Sequence, residues 1–295
     1  MGIAAICSAD TDSPKIVFSA DRQITAGIKF EHGMPKIRAL TDYCYVIMSS
    51  SDTLKSDMII SKVVQRLDEN PRINEIIEQF ALVLDESKKA DIERDVIKRY
   101  GLTYPEFLSK SRELSDTLVQ SIIHEIEIYE YNFACEFLLF SLEPTPHIYV
   151  IDQDGKYKPH DYMGFAAIGN GAQLAFTEMT KYSYHPNIDH IQGLVRVYNT
   201  KRTAERISGV GETTDLYVLH IVEKDGKAQV EHWHVDDVVM DMLESSYKRI
   251  SSQERKTIDR VMHKIRTYLY PNANNHPKKE EMKAAPADAK ERISG

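Results

Sequence analysis

Residues 16–40, IVFSADRQITAGIKFEHGMPKIRAL, constrain the fold more than any other stretch. Ile16-Val17-Phe18 reads as a buried strand, with Asp21 at its end in Ser19-Ala20-Asp21-Arg22. Gly27 stands in a polar break, and Lys36-Ile37 opens a further strand. A carboxylate and an amine, each at a strand end and close in sequence, meet when those ends share one sheet edge. Spacing alone favours a plainer outcome, a surface ion pair, because structural pairs outnumber catalytic ones.

The chain has 295 residues, enough to bury a sizeable core as one large domain or two small ones. Its net charge of −8 argues against general affinity for nucleic acid or an anionic membrane. Cys7, Cys44 and Cys135 lie far apart in apolar runs, which fits reduced core thiols and a cytoplasmic location. Residues 1–25 lack the charged start and apolar block of a signal peptide, and no apolar run is long enough to span a bilayer.

Residues 2–7 and 16–20 form an opening hairpin, with Ser8 to Pro14 as its turn. Residues 43–48 are continuously apolar, the pattern of a strand covered on both faces. Ser49 to Asp52 offer N-caps for a helix marked by Ile60, Val63, Val64 and Leu67, and Pro71 ends it. Ile73, Ile76, Ile77, Phe80 and Leu84 mark the next helix. Leu114, Leu118, Ile122 and Ile126 predict one long helix from Glu106 to about Tyr129. Strands follow at 132–142, 147–151 and 163–168, with a hairpin turn at Asp152-Gln153-Asp154-Gly155. Two helices precede strands at 214–222 and 228–234, joined by an Asp225-Gly226 turn, and a long C-terminal helical stretch closes the chain. Residues 271–295 are rich in Asn, Pro, Lys, Glu and Ala and are expected to be disordered. Strand runs alternating with helix pairs suggest an α+β fold of two stacked sheets between helix layers.

Three blocks in order resemble a proteasome β-type subunit. Ala20-Asp21-Arg22, Thr25-Ala26-Gly27 and Lys36-Ile37 resemble its two N-terminal strands and K-I pair. Residues 165–172 (FAAIGNGA) resemble its strand, turn and helix, and Ala204-Glu205-Arg206 through Ser208-Gly209 to 215–219 (DLYVL) resemble its last helix, Ser-Gly turn and strand. The resemblance implies the four-layer αββα sandwich of the N-terminal nucleophile hydrolases over residues 1–270, with a helical insertion at about 85–130. It also implies a homo-oligomer, as a ring or dimer, with a peptide or protein partner and no cofactor or metal.

In that family the side chain of residue 1 attacks a carbonyl while its α-amine takes the proton. The amine suits this because its ordinary pKa is about 7.7–8.0. A Lys cation favours the deprotonated nucleophile and an Asp holds the Lys. By resemblance Lys36 and Asp21 take those roles, Asn170 stands where a Ser is usual, and Ser208 matches a second supporting Ser. Thr25, Gly27 and Ser50 fall at substrate-binding positions. The Asp expected before Ser208 is missing, and Glu205 is the nearest acid. The departure that matters most is at the start, where Met1-Gly2 replaces the nucleophile. Cys7 and Ser8 are the nearest alternatives, but cutting there deletes the first strand. Thr-type peptidase activity is therefore not expected, and a structural, assembly or regulatory role is. The alternatives are an active peptidase or amidohydrolase whose nucleophile is supplied unusually, and an adaptor that recruits through its helical insertion and tail.

Other constellations carry plainer explanations. His232 and His234 share a strand face and could ligate a metal, but exposed strand histidines are commoner. Asp152 and Asp154 lack the later ligands of a calcium loop. Thr213-Thr214 starts a strand, and Gly169-Asn170-Gly171 reads as a tight turn before it reads as an anion cradle.

Overall fold

The computed structural model of this chain describes residues 1–26, 28–31, 35–50, 52–143, 145–181 and 183–269. Its frame is two five-stranded antiparallel sheets. One runs in the order β10 (Phe165–Ile168), β1 (Gly2–Cys7), β2 (Lys15–Asp21), β11 (Thr214–Lys224), β12 (Lys227–His234). The other runs β5 (Ile37–Ala39), β6 (Cys44–Ser50), β7 (Cys135–Ser141), β8 (His147–Ile151), β9 (Tyr157–Pro159). Between β2 and β5 the chain adds a separate hairpin, β3 (Gln23–Ala26) and β4 (Ile28–Glu31), where the sequence suggested only a polar break. Ile24, Ala26, Ile28 and Phe30 alternate with polar neighbours, a period-two signal short enough to be overlooked.

The sheets share a core. Ala4, Ile6, Ile16, Phe18 and Ala20 of the first meet Tyr45, Ile47, Leu138, Phe140 and Ile148 of the second. The Phe18 ring centroid is 4.6 Å from that of Phe140 and 5.4 Å from that of Tyr217, within the range of favourable aromatic pairs. Successive strand side chains point to opposite faces, so Cys44, Val46, Met48, Phe137 and Leu139 turn to the other side. There they bury the stripes of α1 (Thr53–Arg66) and α2 (Ile73–Asp95). On the first sheet, α5 (Ala172–Lys181) and α6 (His190–Ala204) pack against β1, β2 and β10. Gly193 permits the close approach of α6, since a Cβ there would stand 2.3 Å from Cys7 Sγ. The central strands of each sheet are thus buried on both faces, which is why β1 and β6 read as unbroken apolar runs.

The helix expected from Glu106 to Tyr129 is two helices, α3 (Tyr104–Lys110) and α4 (Asp116–Asn132). Thr103 and Glu106 form a capping box for α3, and the Ser115 hydroxyl caps α4 by accepting from Leu118 N. The apolar line continues across the break, because Leu114, Leu118 and Ile126 pack with Ile92, Val96, Ile97, Phe107 and Ile122. These helices therefore carry a small core of their own. The helix α4 also runs to Asn132, so β7 starts three residues later than its apolar pattern predicts.

The described chain divides into two compact units, Met1–Leu243 and a second beginning at Glu244. The second holds most of α7 (Asp237–Leu269). Residues 271–295, expected to be disordered, lie outside the described residues. Among the described residues no helix is long and apolar enough to cross a membrane.

Candidate active site at the first residue

Pairing of Gly2 with Ala20 brings Met1 alongside Asp21, whose N–H donates to the Met1 carbonyl at 3.2 Å. The buried α-amine of Met1 donates to Asp21 Oδ2 at 2.6 Å. Lys36, just ahead of β5, donates from Nζ to Asp21 Oδ1 at 2.8 Å, and Gln23 N donates to the same oxygen at 2.9 Å. A fully buried carboxylate is costly unless it is paired and hydrogen-bonded, and both oxygens of Asp21 are. Beside it, the Arg22 guanidinium donates from Nε to Asp215 Oδ2 at 2.8 Å and from Nη2 to Oδ1 at 2.6 Å, tying the end of β2 to the start of β11.

Burial lowers the α-amine from 8.0 to about 6, outweighing the Asp21 carboxylate, which pulls it up. Lys36 and Lys201 push it the same way as burial. Burial raises Asp21, but the α-amine and Lys36 outweigh it and leave the carboxyl below its ordinary range. Near neutral pH Asp21 is a carboxylate and the α-amine beside it is largely neutral. A neutral amine is a general base poised at working pH.

A cavity of about 650 Å³ opens here, lined by Met1, Gln23, Lys36, Ser49, Glu136, Asn170 and Gly209 among others. Gly169, at φ +81°, donates its N–H to Glu136 Oε2 at 3.0 Å, so that amide is already taken. A Cβ on Gly169 would stand 2.6 Å from Ser49 Oγ and 3.4 Å from Met1 Cα, which puts the Ser49 hydroxyl close to the first residue. Asn170 Nδ2 crowds Gly209, where a Cβ would come within 2.6 Å.

Of the residues expected at the site, Asp21, Lys36 and Asn170 line or underlie this cavity. Ser208 sits in the turn after α6, one residue before the lining Gly209. Gly27 lies outside the described residues, as do the side chains of Thr25 and Ser50. Glu205, the nearest acid to the missing Asp, is engaged elsewhere. It binds the Nζ of Lys201 and a guanidinium nitrogen of Arg202, and burial pushes its carboxyl up.

Ser49 and Lys201 were not singled out from the sequence. Lys201 is 1% exposed, and burial lowers its pKa. Its Nζ donates to Glu205 Oε1 at 2.5 Å and to the carbonyls of Gly211, Glu212 and Thr213 at 2.7, 3.1 and 3.4 Å. The signal was present, since Lys201 falls on the buried stripe of Leu194, Val197 and Tyr198 with an acid four residues on.

The remaining constellations are engaged within the fold. His232 Nδ1 lies 2.8 Å from the Tyr45 hydroxyl, and the His234 ring packs 4.7 Å from Tyr217. Among the described residues no group of three or more His, Cys, Asp or Glu could hold a metal. Asp152 Oδ1 accepts from Asp154 N and Lys156 N within the β8–β9 turn, and Asp154 pairs with Lys88. The Cys7 thiol is buried in β1, and burial pushes it up to about 11.

No protein-family model matches the chain, and no curated protein matches it. Among solved structures it is similar to the crystal structure of eukaryotic HslV from Trypanosoma brucei. That likeness covers 74% of this chain and 98% of the other at 16% identity, with a TM-score of 0.45.

Proposed function

We propose that the chain is a four-layer αββα sandwich of the N-terminal nucleophile hydrolase kind, like a proteasome β-type subunit, and serves as a non-cleaving subunit of an assembly. The observation that carries this reading is the α-amine of residue 1, 2.6 Å from the carboxylate that also holds Lys36. In such hydrolases these groups serve a hydroxyl or thiol on residue 1. Here residue 1 bears a thioether, which has no proton to give. The Met1 side chain is also buried, with its Sδ 3.0 Å from where a Cβ on Gly171 would stand. That packing supports a residue 1 that serves the core and not an attacking group. The helix pairs on the outer face of each sheet support the layering. The separate core of the helices within 85–130 supports reading them as an insertion available for assembly contacts.

An active amidohydrolase is the second reading. Ser49 favours it, because its hydroxyl lines the cavity that also holds an amine lowered to about 6. Sequencing the N-terminus of the purified protein and assaying it on peptide amides separates the two. Intact Met1 with no turnover supports the non-cleaving subunit. Turnover with intact Met1, abolished by Ser49→Ala, supports the second reading. Turnover after processing to a Ser, Thr or Cys terminus overturns the first.

A further inference from the structure

A groove of about 1020 Å³ in the Met1–Leu243 unit shares no lining residue with the cavity at Met1. Its apolar lining includes Tyr43, Tyr45, Leu67, Ile221 and Val230, all buried or half-buried. Asp42, Asp68, Glu69, Glu143 and Glu231 also line it, and none of the lining residues is Lys or Arg. Among the described residues Glu231 is in an ion pair, with Lys224, and the other four are in none. Four carboxylates around an apolar floor create a field that favours a cationic, amphipathic occupant.

The second unit supplies a segment of that chemistry. Residues 252–269 of α7 are exposed on every side. Ile258, Val261, Met262, Ile265, Tyr268 and Leu269 recur along one helix face, and each is about half exposed or more. The same 18 residues carry Arg255, Lys256, Arg260, Lys264 and Arg266 against Glu254 and Asp259. This local positive excess stands out in a chain whose net charge is −8. An amphipathic helix gains most of its stability from covering its apolar face, and this face is open. Two such helices pairing with each other would set like charges side by side.

We infer that residues 252–269 of one copy dock in the acidic groove of a second copy. The apolar face lies on the tyrosine and aliphatic floor, and the Lys and Arg side chains meet the carboxylates. The contact is heterologous, helix of one chain to groove of the next, so it closes into a dimer when reciprocal and a ring when sequential. It is independent of the reading of the Met1 site.

Sedimentation velocity of the full chain across concentration and salt tests this. The wild type should self-associate, less so at high salt. A helix variant, Arg260→Glu with Lys264→Glu, should weaken association roughly tenfold or more, and so should a groove variant, Asp68→Lys with Glu143→Lys. Both reversals in one chain should restore it. All four positions are exposed, so the variants should keep the wild-type circular dichroism and melting curve. A chain monomeric at every concentration overturns the inference. Weakening by the helix variant alone overturns it in favour of helix-to-helix pairing, and weakening by neither overturns it outright.

Discussion

Asp21 and Lys201 are both buried charges of the Met1–Leu243 unit, one held by two amines and the other by oxygens. Lys201 spends its ammonium protons on Glu205 and the 211–213 carbonyls, all supplied by one helix end and the loop after it. Nothing is left over for a ligand. Asp21 also has both oxygens satisfied, but its partners have capacity to spare. Lys36 is 12% exposed and lines the cavity, and the α-amine is held largely neutral with a lone pair available. A buried ion closed on itself is a staple, whereas one whose partners face a cavity is a chemical centre. Sequence neighbours close the first, and only strand pairing creates the second.

The largest effect expected is at the staple. Lys201→Met should cost about 3–5 kcal/mol, because it strands several carbonyls and leaves half-buried Glu205 with Arg202 alone, and urea unfolding measures it. A cost under about 1 kcal/mol would put Lys201 on the same footing as a surface residue and break the contrast. Asp21→Asn should cost less, about 2–4 kcal/mol, because Lys36 lines the cavity, where solvent can reach it, and the amine is already largely neutral. The same variant should lower the α-amine below its wild-type value, since the carboxylate holds it up. Competitive labelling of the N-terminus against pH reads that shift.

The amine makes a pH signature of its own. Its pKa is about 6 folded against 8.0 unfolded, so between those values the unfolded chain binds more protons. Stability should rise from pH 6 to pH 8 by on the order of 2 kcal/mol and then level off. Asp21 acts in the same direction at lower pH, its stabilisation lost as pH falls through its depressed pKa. Urea midpoints at pH 6, 7 and 8 test the rise, and a flat profile would mean that the amine is solvated. The smallest effect is expected from Ser49→Ala, within about 0.5 kcal/mol, because the hydroxyl lines the cavity without filling a core position.

The signals that mark Asp21 and Lys36 in the sequence are local. Asp21 ends an apolar strand, Lys36 precedes another, and Asp225-Gly226 announces a hairpin whose two turn residues both take positive φ. The division into α3 and α4 was harder, since Ser115 caps a helix without interrupting the apolar line that continues through Leu118. A lysine on a helix ordinarily reads as solvated, and only the 211–213 carbonyls closing on its Nζ make Lys201 a core residue.

Local pattern alone determined the strands buried on both faces, most helix starts and the acid and amine at neighbouring strand ends. The tertiary structure decided which charges face open space, that Ser49 and the first residue line one cavity, and that five carboxylates share one groove. Chain periodicity records which face of an element is buried. It carries no record of what lies opposite, because those contacts join residues a hundred or more positions apart, as Tyr45 and His232 do.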